Sequence, residues 1–322
     1  MTATKLNPQQ FSEYGDQLFN QLLDRFPESK KWRLLMAEAL SPERFAQVRF
    51  AAATYISACL GSKKTITDET ELLDAIERLR GTMPNITPNG LLMPKREFVL
   101  EFNLLHKSIA GIFKDFQIDE MIETMHVPVN LRIAQGTPKA AVDSRAYATN
   151  KMHSDVWAGE PLDAVIVHLP LFGDAENIGI DFCEMTAAKE QQFMRILKDY
   201  DEGKELFEDM KRYDCTMKLG NIYFADARLL HATMRKKPGL RVSLDFRFRM
   251  RSEGPYRAAA DEILKAGRQP NYFSFPDFCR IGSDDMMAFD ETCDEARQRH
   301  TGNAPAKVEY AAAYRIVKLF PD

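Results

Sequence analysis

The chain has 322 residues, a formal net charge of -4 and a hydrophobic fraction of 45%, as in an ordinary soluble globular protein. This charge balance provides no basic field, so nucleic acid is not an expected partner. The five cysteines are widely spaced and form no CxxC pair, which argues against a disulfide framework and a zinc finger and favours a reducing cytosol. The N-terminus lacks an apolar signal core and no apolar run reaches membrane-spanning length, so we expect a cytoplasmic protein with no membrane partner.

The first part of the chain, residues 7–125, is predicted to be mainly helical. Its opening segment repeats large apolar residues at helical spacing, namely Phe11, Leu18, Phe19, Leu22 and Leu23. Ser41 and Pro42 suit the cap and the first turn of a second helix. A third helix is predicted at "TDETELLDAIERLR", where acids come first and arginines last. After a proline-rich break at "GTMPNITPNGLLMP", a helical period resumes in "KREFVLEFNLLHKSIAGIFKDFQIDEMIETM".

From residue 127 the pattern changes to short β-type runs separated by Gly, Pro, Asp and Asn, which is typical of an antiparallel sandwich or barrel. The runs are "VPVNLRIAQ", "SRAYATNKM", "LDAVIVHLPLF", "NIGIDFCEM", "CTMKLGNIYFAD", "RLLHATM" and "GLRVSLDFRFRM". A predicted helix over about residues 186–209 interrupts them. We therefore predict an α+β protein, with a mainly helical region at 1–126 packing on a β core at 127–252, and a helix and loop cap at 253–322.

The strand "LRVSLDFRFRM" alternates strictly between apolar and polar residues. Its even positions are apolar from Leu240 to Met250, and its odd positions are Arg241, Ser243, Asp245, Arg247 and Arg249. Such alternation places one face against a hydrophobic layer. The polar face either meets solvent or lines a cavity, and the many preceding helices, which need a surface to cover, favour the cavity.

The segment "KMHSDVW" places His153 and Asp155 two positions apart in a predicted strand, so both side chains are expected on one face. An imidazole and a carboxylate that converge can hold a metal, relay a proton or form a structural hydrogen bond. A histidine followed two positions later by Asp or Glu is expected by accident about once in a chain with this many histidines. The pair alone therefore leaves these alternatives open.

A later segment adds the missing partners. His231 ends a β-type run, Arg241 follows ten positions later, and Ser243 shares the strand face of Arg241. Two histidines and one carboxylate on adjacent strands form the facial triad of non-haem Fe(II) oxygenases, which leaves open coordination positions. An arginine one strand away can hold a carboxylate through both oxygens, because its guanidinium is a planar fork.

The order H-x-D, then His231, then R-x-S resembles the Fe(II)/2-oxoglutarate-dependent oxygenases, and "HSDVWAGEP" and "GNIYFADARLLHATM" are similar to phrases of their bacterial small-molecule branch. The resemblance covers about residues 127–250. It implies a double-stranded β-helix core, of jelly-roll or cupin type, buttressed by the N-terminal helices. It also implies Fe(II) ligation by His153, Asp155 and His231, and a 2-oxoglutarate carboxylate held by Arg241 with help from Ser243. The halogenating members lack the carboxylate ligand, so Asp155 argues against halogenation.

The resemblance further implies that O2 and 2-oxoglutarate oxidise an unactivated C–H of a small-molecule substrate, with release of succinate and CO2. Hydroxylation, desaturation and oxidative ring closure all remain open. A metal-dependent hydrolase or isomerase, in which Arg241 holds substrate, and a non-catalytic binding protein on the same barrel are the alternatives. The identity of the substrate and the oligomeric state cannot be read from the sequence.

Further residues are candidates for the lining of the site. If the strand that enters the site is continuous, Tyr147 and Thr149 share the face of His153, and Tyr147 could donate to the cosubstrate. Arg132 and Arg247 could hold an acidic substrate group, which favours a small polar, carboxylated metabolite, and Trp157 could form a wall. Their alternatives are structural: a barrel-wall tyrosine, a surface arginine and a core tryptophan. For His168 a core role is favoured, and Arg249 and Arg251 are expected to be exposed.

Overall fold

The computed structural model describes residues 7–83, 86–87, 89–94, 96–136, 145–186, 189–190, 194–267, 272–289 and 314–319. Its α-helices are α1 (Pro8–Asp24), α2 (Pro42–Cys59), α3 (Glu69–Leu79), α4 (Val99–Phe116), α5 (Gly254–Gly267) and α6 (Phe275–Arg280). Short 3-10 helices occupy Arg80–Thr82, Arg96–Phe98, Asp119–Met121, Asp155–Ala158 and Tyr200–Asp209. No helix among these residues is both long enough and apolar enough to cross a bilayer.

The strands are β1 (Lys30–Trp32), β2 (Leu35–Ala39), β3 (Leu91–Leu92), β4 (Ile122–His126), β5 (Asn130–Gln135), β6 (Ala164–Gly173), β7 (Ile180–Glu184), β8 (Lys211–Arg212), β9 (Asn221–Asp226), β10 (Leu230–Thr233), β11 (Leu240–Met250), β12 (Tyr272–Ser274), β13 (Asp285–Phe289) and β14 (Tyr314–Lys318). A large antiparallel sheet has the order β1-β2-β9-β6-β11-β4-β12, and β5 also pairs with β11 and with β3. A small sheet has the order β10-β7-β8, and β13 pairs with β14.

Two helices begin with a capping residue followed by proline, and the start predicted at Ser41 and Pro42 is confirmed. The side chain of Asn7 accepts a hydrogen bond from the Gln10 amide at 2.9 Å, ahead of Pro8. Ser41 accepts in the same way from the Arg44 amide at 3.1 Å, ahead of Pro42. These caps satisfy amide groups that have no partner within the helix.

The apolar face of β11 packs against the helical layer. The ring of Phe113, on α4, makes edge contacts with Phe246 and Phe248, at centroid distances of 5.9 and 5.6 Å. All eleven residues of β11 are buried, on both faces of the strand. The polar face of β11 is therefore enclosed, as the cavity interpretation predicts, and it does not meet solvent.

The small sheet covers that polar face. His168 lies on β6 beside Asp245 of β11, and its ring lies 6.0 Å from Phe182 of β7 and 5.6 Å from His231 of β10. Side chains of the two sheets thus meet across a buried layer. The strand register therefore brings the histidines and the polar residues of β11 between the sheets.

The predicted mixture of helices and antiparallel sheet is confirmed, but three local predictions are wrong. The region before residue 127 also contributes β1 to β4, so "IETM" is strand and not helix. The run "SRAYATNKM" forms turns over its described residues, since the amides of Ala148 and Lys151 donate to carbonyls three positions earlier. A continuous helix over 186–209 is absent because residues 194–199 are not helical, and Asp199 caps a separate 3-10 helix. The division into three regions stays a prediction.

Candidate metal centre

Two histidines of the centre are joined by their backbones. The His153 amide donates to the His231 carbonyl at 3.0 Å, and the His231 amide donates back at 2.8 Å, so the two residues form an antiparallel bridge. Asp155 does not continue this strand. It begins a 3-10 helix after Ser154, which accepts from the Val156 amide and donates to the carbonyl of Ala227. The expectation that His153 and Asp155 meet through strand alternation is wrong, although the two side chains do meet.

The donor atoms of the triad converge. His153, Asp155 and His231 each offer one ligand atom, and these atoms lie within 4.8 Å of one another. Each histidine Nε2 lies 3.7 Å from Oδ1 of Asp155. The Nδ1 atoms instead face backbone carbonyls, that of Lys151 at 2.7 Å and that of Leu229 at 3.3 Å. A carbonyl partner at Nδ1 leaves Nε2 available as a metal ligand.

Burial and charge set the protonation states that a metal requires. Burial, with a contribution from His231, lowers the pKa of His153 to about 3, so its imidazole is neutral at neutral pH. Burial alone would raise the pKa of Asp155, but Arg247, together with smaller contributions from His231, His153 and His168, outweighs it and holds the pKa well below its usual range. A neutral imidazole and an ionised carboxylate are the forms that coordinate a metal. The ring of Tyr200 stacks on that of His153 at 4.2 Å, which fixes the imidazole plane.

Arg247 lies beside the triad and has protein carboxylates as partners. Its nitrogens lie 2.8 Å from Asp155, 3.1 Å from Glu160 and 3.3 Å from Asp245. The argument that this buried cation needs a substrate carboxylate is therefore wrong, because the protein itself supplies the negative charge. The sequence carried a signal for one pairing, since Asp245 and Arg247 share a strand face at i and i+2.

Arg132 and Arg249 are also buried and paired. Arg132 donates to Asp245 at 2.9 Å and to the carbonyl of Asn89 at 3.0 Å, so it is not a surface arginine. Arg249 was expected in solvent, but it donates to both oxygens of Asp163 at 2.8 Å. Strand alternation keeps Arg249 on the enclosed face. Arg251, one strand position beyond the end of β11, is exposed as predicted.

Arg241 differs from these arginines because it is buried and forms no ion pair with any carboxylate of the described residues. Only 2% of its surface is exposed. Among the described residues it forms no salt bridge, its Nε has no hydrogen-bond partner, and Nη1 lies 3.8 Å from Sδ of Met217. Burial, with a contribution from Arg132, lowers the pKa of Arg241 to about 10, which leaves it charged at neutral pH. Ser243 is buried two positions further along the strand. A buried guanidinium of this kind is suited to an anionic ligand.

Comparisons with known proteins assign no family. No protein-family model matches the sequence, and no curated protein matches it significantly. AviO1 from Streptomyces viridochromogenes aligns over 71% of this chain and 94% of its own, at 12% identity and a TM-score of 0.40. The non-haem α-ketoglutarate-dependent epimerase SnoN from nogalamycin biosynthesis aligns over 76% and 82%, at 13% identity and a TM-score of 0.34. An N-substituted L-amino acid dioxygenase from Burkholderia ambifaria aligns over 67% and 84%, at 13% identity and a TM-score of 0.29. At these values the likeness carries no argument, so the function must be argued from the site.

The remaining candidates of the sequence have structural contacts. The Tyr147 hydroxyl donates to the carbonyl of Leu197 at 2.5 Å, because residues 145–152 form turns and do not present a strand face to the metal. The carbonyl of Thr149 accepts from the Thr233 amide at 2.7 Å. Trp157 is fully buried beside Tyr200. The assignment of these three to cosubstrate or substrate therefore stays a prediction.

His168 was expected to be a satisfied core histidine, but its ring is not satisfied. It is buried in the layer between the sheets, and Nδ1 lies 4.0 Å from Oδ1 of Asp245, beyond hydrogen-bond distance. Within the described residues its Nε2 has no partner. His168 is not part of the metal-ligand group, so it is a polar residue next to the site and not a fourth ligand.

Proposed function

We propose that the chain is a non-haem Fe(II)/2-oxoglutarate-dependent oxygenase that oxidises an unactivated C–H of a small molecule. The observation that carries the proposal is the convergence of two Nε2 atoms and one carboxylate oxygen within 4.8 Å at a buried site. This donor set is the facial triad, which leaves three coordination positions open for the cosubstrates. The iron would supply the activation of O2, and 2-oxoglutarate would supply electrons.

The strand pairing supports a double-stranded β-helix core. The large sheet contains β5, β11, β6 and β9 in that order, and the small sheet contains the His153 bridge, β10, β7 and β8. From β5 to β11, with the His153 bridge counted between β5 and β6, each strand lies in the other sheet from the strand before it. The one exception among these strands is β8, which lies in the same sheet as β7. Alternation between two facing sheets is the connectivity of a jelly roll. In such a fold the ligands from the His153 bridge and β10 lie at one position between the sheets.

Each residue has a distinct role in this proposal. His153, Asp155 and His231 bind the metal through one atom each, and the carbonyls at Nδ1 keep both imidazoles oriented. Arg241 binds the distal carboxylate of 2-oxoglutarate, and Ser243 donates a further hydrogen bond to it. The surrounding apolar layers exclude bulk water, which strengthens these charged contacts. The ion-paired Arg132 and Arg247 give no reason to favour an acidic substrate, so the substrate class is left at small molecules.

Arg241 also favours the oxygenase over a hydrolase or isomerase on the same scaffold. Arg241 provides a buried anion site separate from the metal. Such a site suits 2-oxoglutarate, whose keto-acid end would bind the metal while its distal carboxylate binds the arginine. A hydrolytic metal site would need only the metal, a water molecule and the substrate.

The test is turnover of 2-oxoglutarate without added substrate. We expect the Fe(II)-loaded chain to release succinate slowly in the presence of O2, and the Zn(II)-loaded chain and the Asp155→Ala variant to release none. Tight Fe(II) binding with no succinate release, at any cosubstrate concentration and with a broad panel of small molecules, would contradict the proposal. Hydrolysis by the Zn(II)-loaded chain would favour the rival.

A further inference from the structure

We propose that Arg247 is a positioning residue that keeps Asp155 a monodentate metal ligand, one that coordinates through a single oxygen. This inference rests on the proposed function, because it concerns how the chain presents its carboxylate to the metal. The sequence pattern predicted a different role for Arg247, that of a substrate contact. The contacts around Asp155 carry the new assignment.

The two oxygens of Asp155 face different partners. Oδ1 lies 3.7 Å from Nε2 of both histidines. Oδ2 accepts two hydrogen bonds from the guanidinium of Arg247, from Nη2 at 2.8 Å and from Nε at 3.1 Å. One oxygen is therefore directed at the metal position while the other is occupied by the arginine.

Two further carboxylates lie beside the guanidinium of Arg247 at ion-pair distance. Glu160 lies 3.1 Å from its Nε, and Asp245 lies 3.3 Å from its Nη1. Glu160 accepts a hydrogen bond from the hydroxyl of Tyr272 at 2.7 Å, and Asp245 accepts one from Arg132 at 2.9 Å. All four charged residues of this network are buried. The guanidinium therefore cannot turn away from Asp155 without breaking buried ion pairs, each of which is costly to break.

This restraint has a consequence for coordination. Two imidazoles and one carboxylate oxygen leave three of six octahedral positions open, as the facial triad requires. A carboxylate that chelated through both oxygens would occupy one of those positions. By holding Oδ2, Arg247 keeps that position free for the cosubstrates.

Arg249 provides a matched control. It lies on the same face of β11, is buried as well, and forms a two-oxygen ion pair with Asp163 at 2.8 Å. It makes no hydrogen bond to the triad among the described residues. Loss of Arg249 should therefore cost stability in the same way as loss of Arg247, while leaving the metal carboxylate in place.

The experiment measures binding of Co(II) alone to the purified metal-free chain, by competition with a chromogenic chelator and by the visible absorption of the bound ion. We expect Arg247→Met to weaken Co(II) binding about 10- to 100-fold, the usual effect of losing a residue that orients a ligand. The visible absorption of the bound Co(II) should change as well, because Oδ2 of Asp155 is then free to coordinate the ion. Arg247→Lys keeps the positive charge but not the planar guanidinium, so its Co(II) affinity should lie between those of the wild type and Arg247→Met. Arg249→Met should remain within about twofold of the wild type, with an unchanged spectrum.

The outcomes separate the inference from the function on which it depends. If Arg247 acted only through its charge, Arg247→Met should bind Co(II) more tightly than the wild type, since removing a cation leaves more negative charge to attract Co(II). Tighter or unchanged binding by Arg247→Met, or equal losses in the Arg247 and Arg249 variants, would overturn the positioning role. If Arg247→Met does not fold, wild-type affinity and spectrum in Arg247→Lys would overturn it. A wild-type chain that binds no Co(II) would overturn the metal centre itself.

Discussion

As a metal ligand in the proposed site, Asp155 would have to meet two requirements. It would have to stay ionised while buried, and it would have to present one particular oxygen to the metal. Arg247 supplies both conditions, because its charge lowers the pKa of Asp155 and its fork occupies Oδ2. The histidines are oriented more simply, through backbone carbonyls at Nδ1.

The ligand triad gives the first prediction. His153→Ala, Asp155→Ala and His231→Ala should each abolish Fe(II) binding at the site. Among the described residues only three candidate ligand atoms converge there, and two protein ligands compete poorly with water. Equilibrium dialysis under anaerobic conditions measures the effect. His126→Ala is the control, since His126 is also buried but lies outside the ligand group. Full metal occupancy in any of the three triad variants would show that the assignment is wrong.

Arg241 gives the second prediction. Arg241→Ala should raise the apparent requirement for 2-oxoglutarate steeply and leave metal affinity nearly intact. Without its arginine partner, the buried carboxylate of 2-oxoglutarate should bind less favourably by about 3–5 kcal/mol, by analogy with broken buried ion pairs. The measurement is the concentration of 2-oxoglutarate that gives half-maximal succinate release. Arg251→Ala, which removes an exposed arginine just beyond the same strand, should leave it unchanged. An unchanged requirement in Arg241→Ala would move the carboxylate site elsewhere.

The candidate ligand residues could be named from the sequence, but their geometry could not. The H-x-D spacing identifies His153 and Asp155, yet the chain turns into a 3-10 helix at Asp155, and the side chains meet through that turn. Two of the three partners of Arg247, Asp155 and Glu160, were not predictable in the same way. Glu160 precedes Arg247 by 87 positions in the chain, so only the folded structure brings the two together.

Among the secondary-structure elements, β11 contacts both the candidate site and the helical layer. Its polar face carries Arg241, Asp245 and Arg247, and its apolar face packs on α4. Strict alternation in the sequence separated the two faces, and the helices that precede the strand favoured an enclosed polar face. The turns at 145–152 were not predictable by the same rule, because the sequence "SRAYATNKM" has strand-forming residues but bonds locally through its own backbone.

The packing between α4 and β11 gives the third prediction. Phe113 is fully buried and makes edge contacts with Phe246, Phe248, Phe275 and Phe278. Phe113→Ala should lower the free energy of unfolding by about 3–5 kcal/mol, the cost of a large cavity in a core. Leu100→Ala on the same helix should change it by less than about 0.5 kcal/mol, because Leu100 is 66% exposed. Denaturant unfolding of the metal-free chain measures both, and equal losses would contradict the packing.

At the scale of the whole molecule, buried neutral histidines tie stability to pH. Burial lowers the pKa of His106, His153 and His168 to about 3 in each case. An unfolded chain binds protons at these positions below about pH 6.5, whereas the folded chain does not until about pH 3. The free energy of unfolding of the metal-free protein should therefore fall as the pH is lowered through this window.

His106 offers a test of this pH dependence away from the metal centre. It lies on α4, and its Nε2 accepts a hydrogen bond from the Val129 amide at 3.3 Å. His106→Asn keeps an acceptor but cannot titrate, so its stability should fall less steeply, by about 1.4 kcal/mol per pH unit, between about pH 6 and pH 4. Chemical denaturation in the presence of a chelator gives both slopes. Parallel slopes for the variant and the wild type would mean that His106 is not buried in its neutral form.

We infer that a metal triad and a separate buried arginine together bind iron and 2-oxoglutarate. A crystal structure of the chain prepared anaerobically with Fe(II) and 2-oxoglutarate tests it most directly. We expect the metal on Nε2 of His153 and His231 and on Oδ1 of Asp155, and the distal carboxylate of 2-oxoglutarate within hydrogen-bond distance of Arg241. A metal bound elsewhere, or a cosubstrate whose carboxylate does not reach Arg241, would contradict the account.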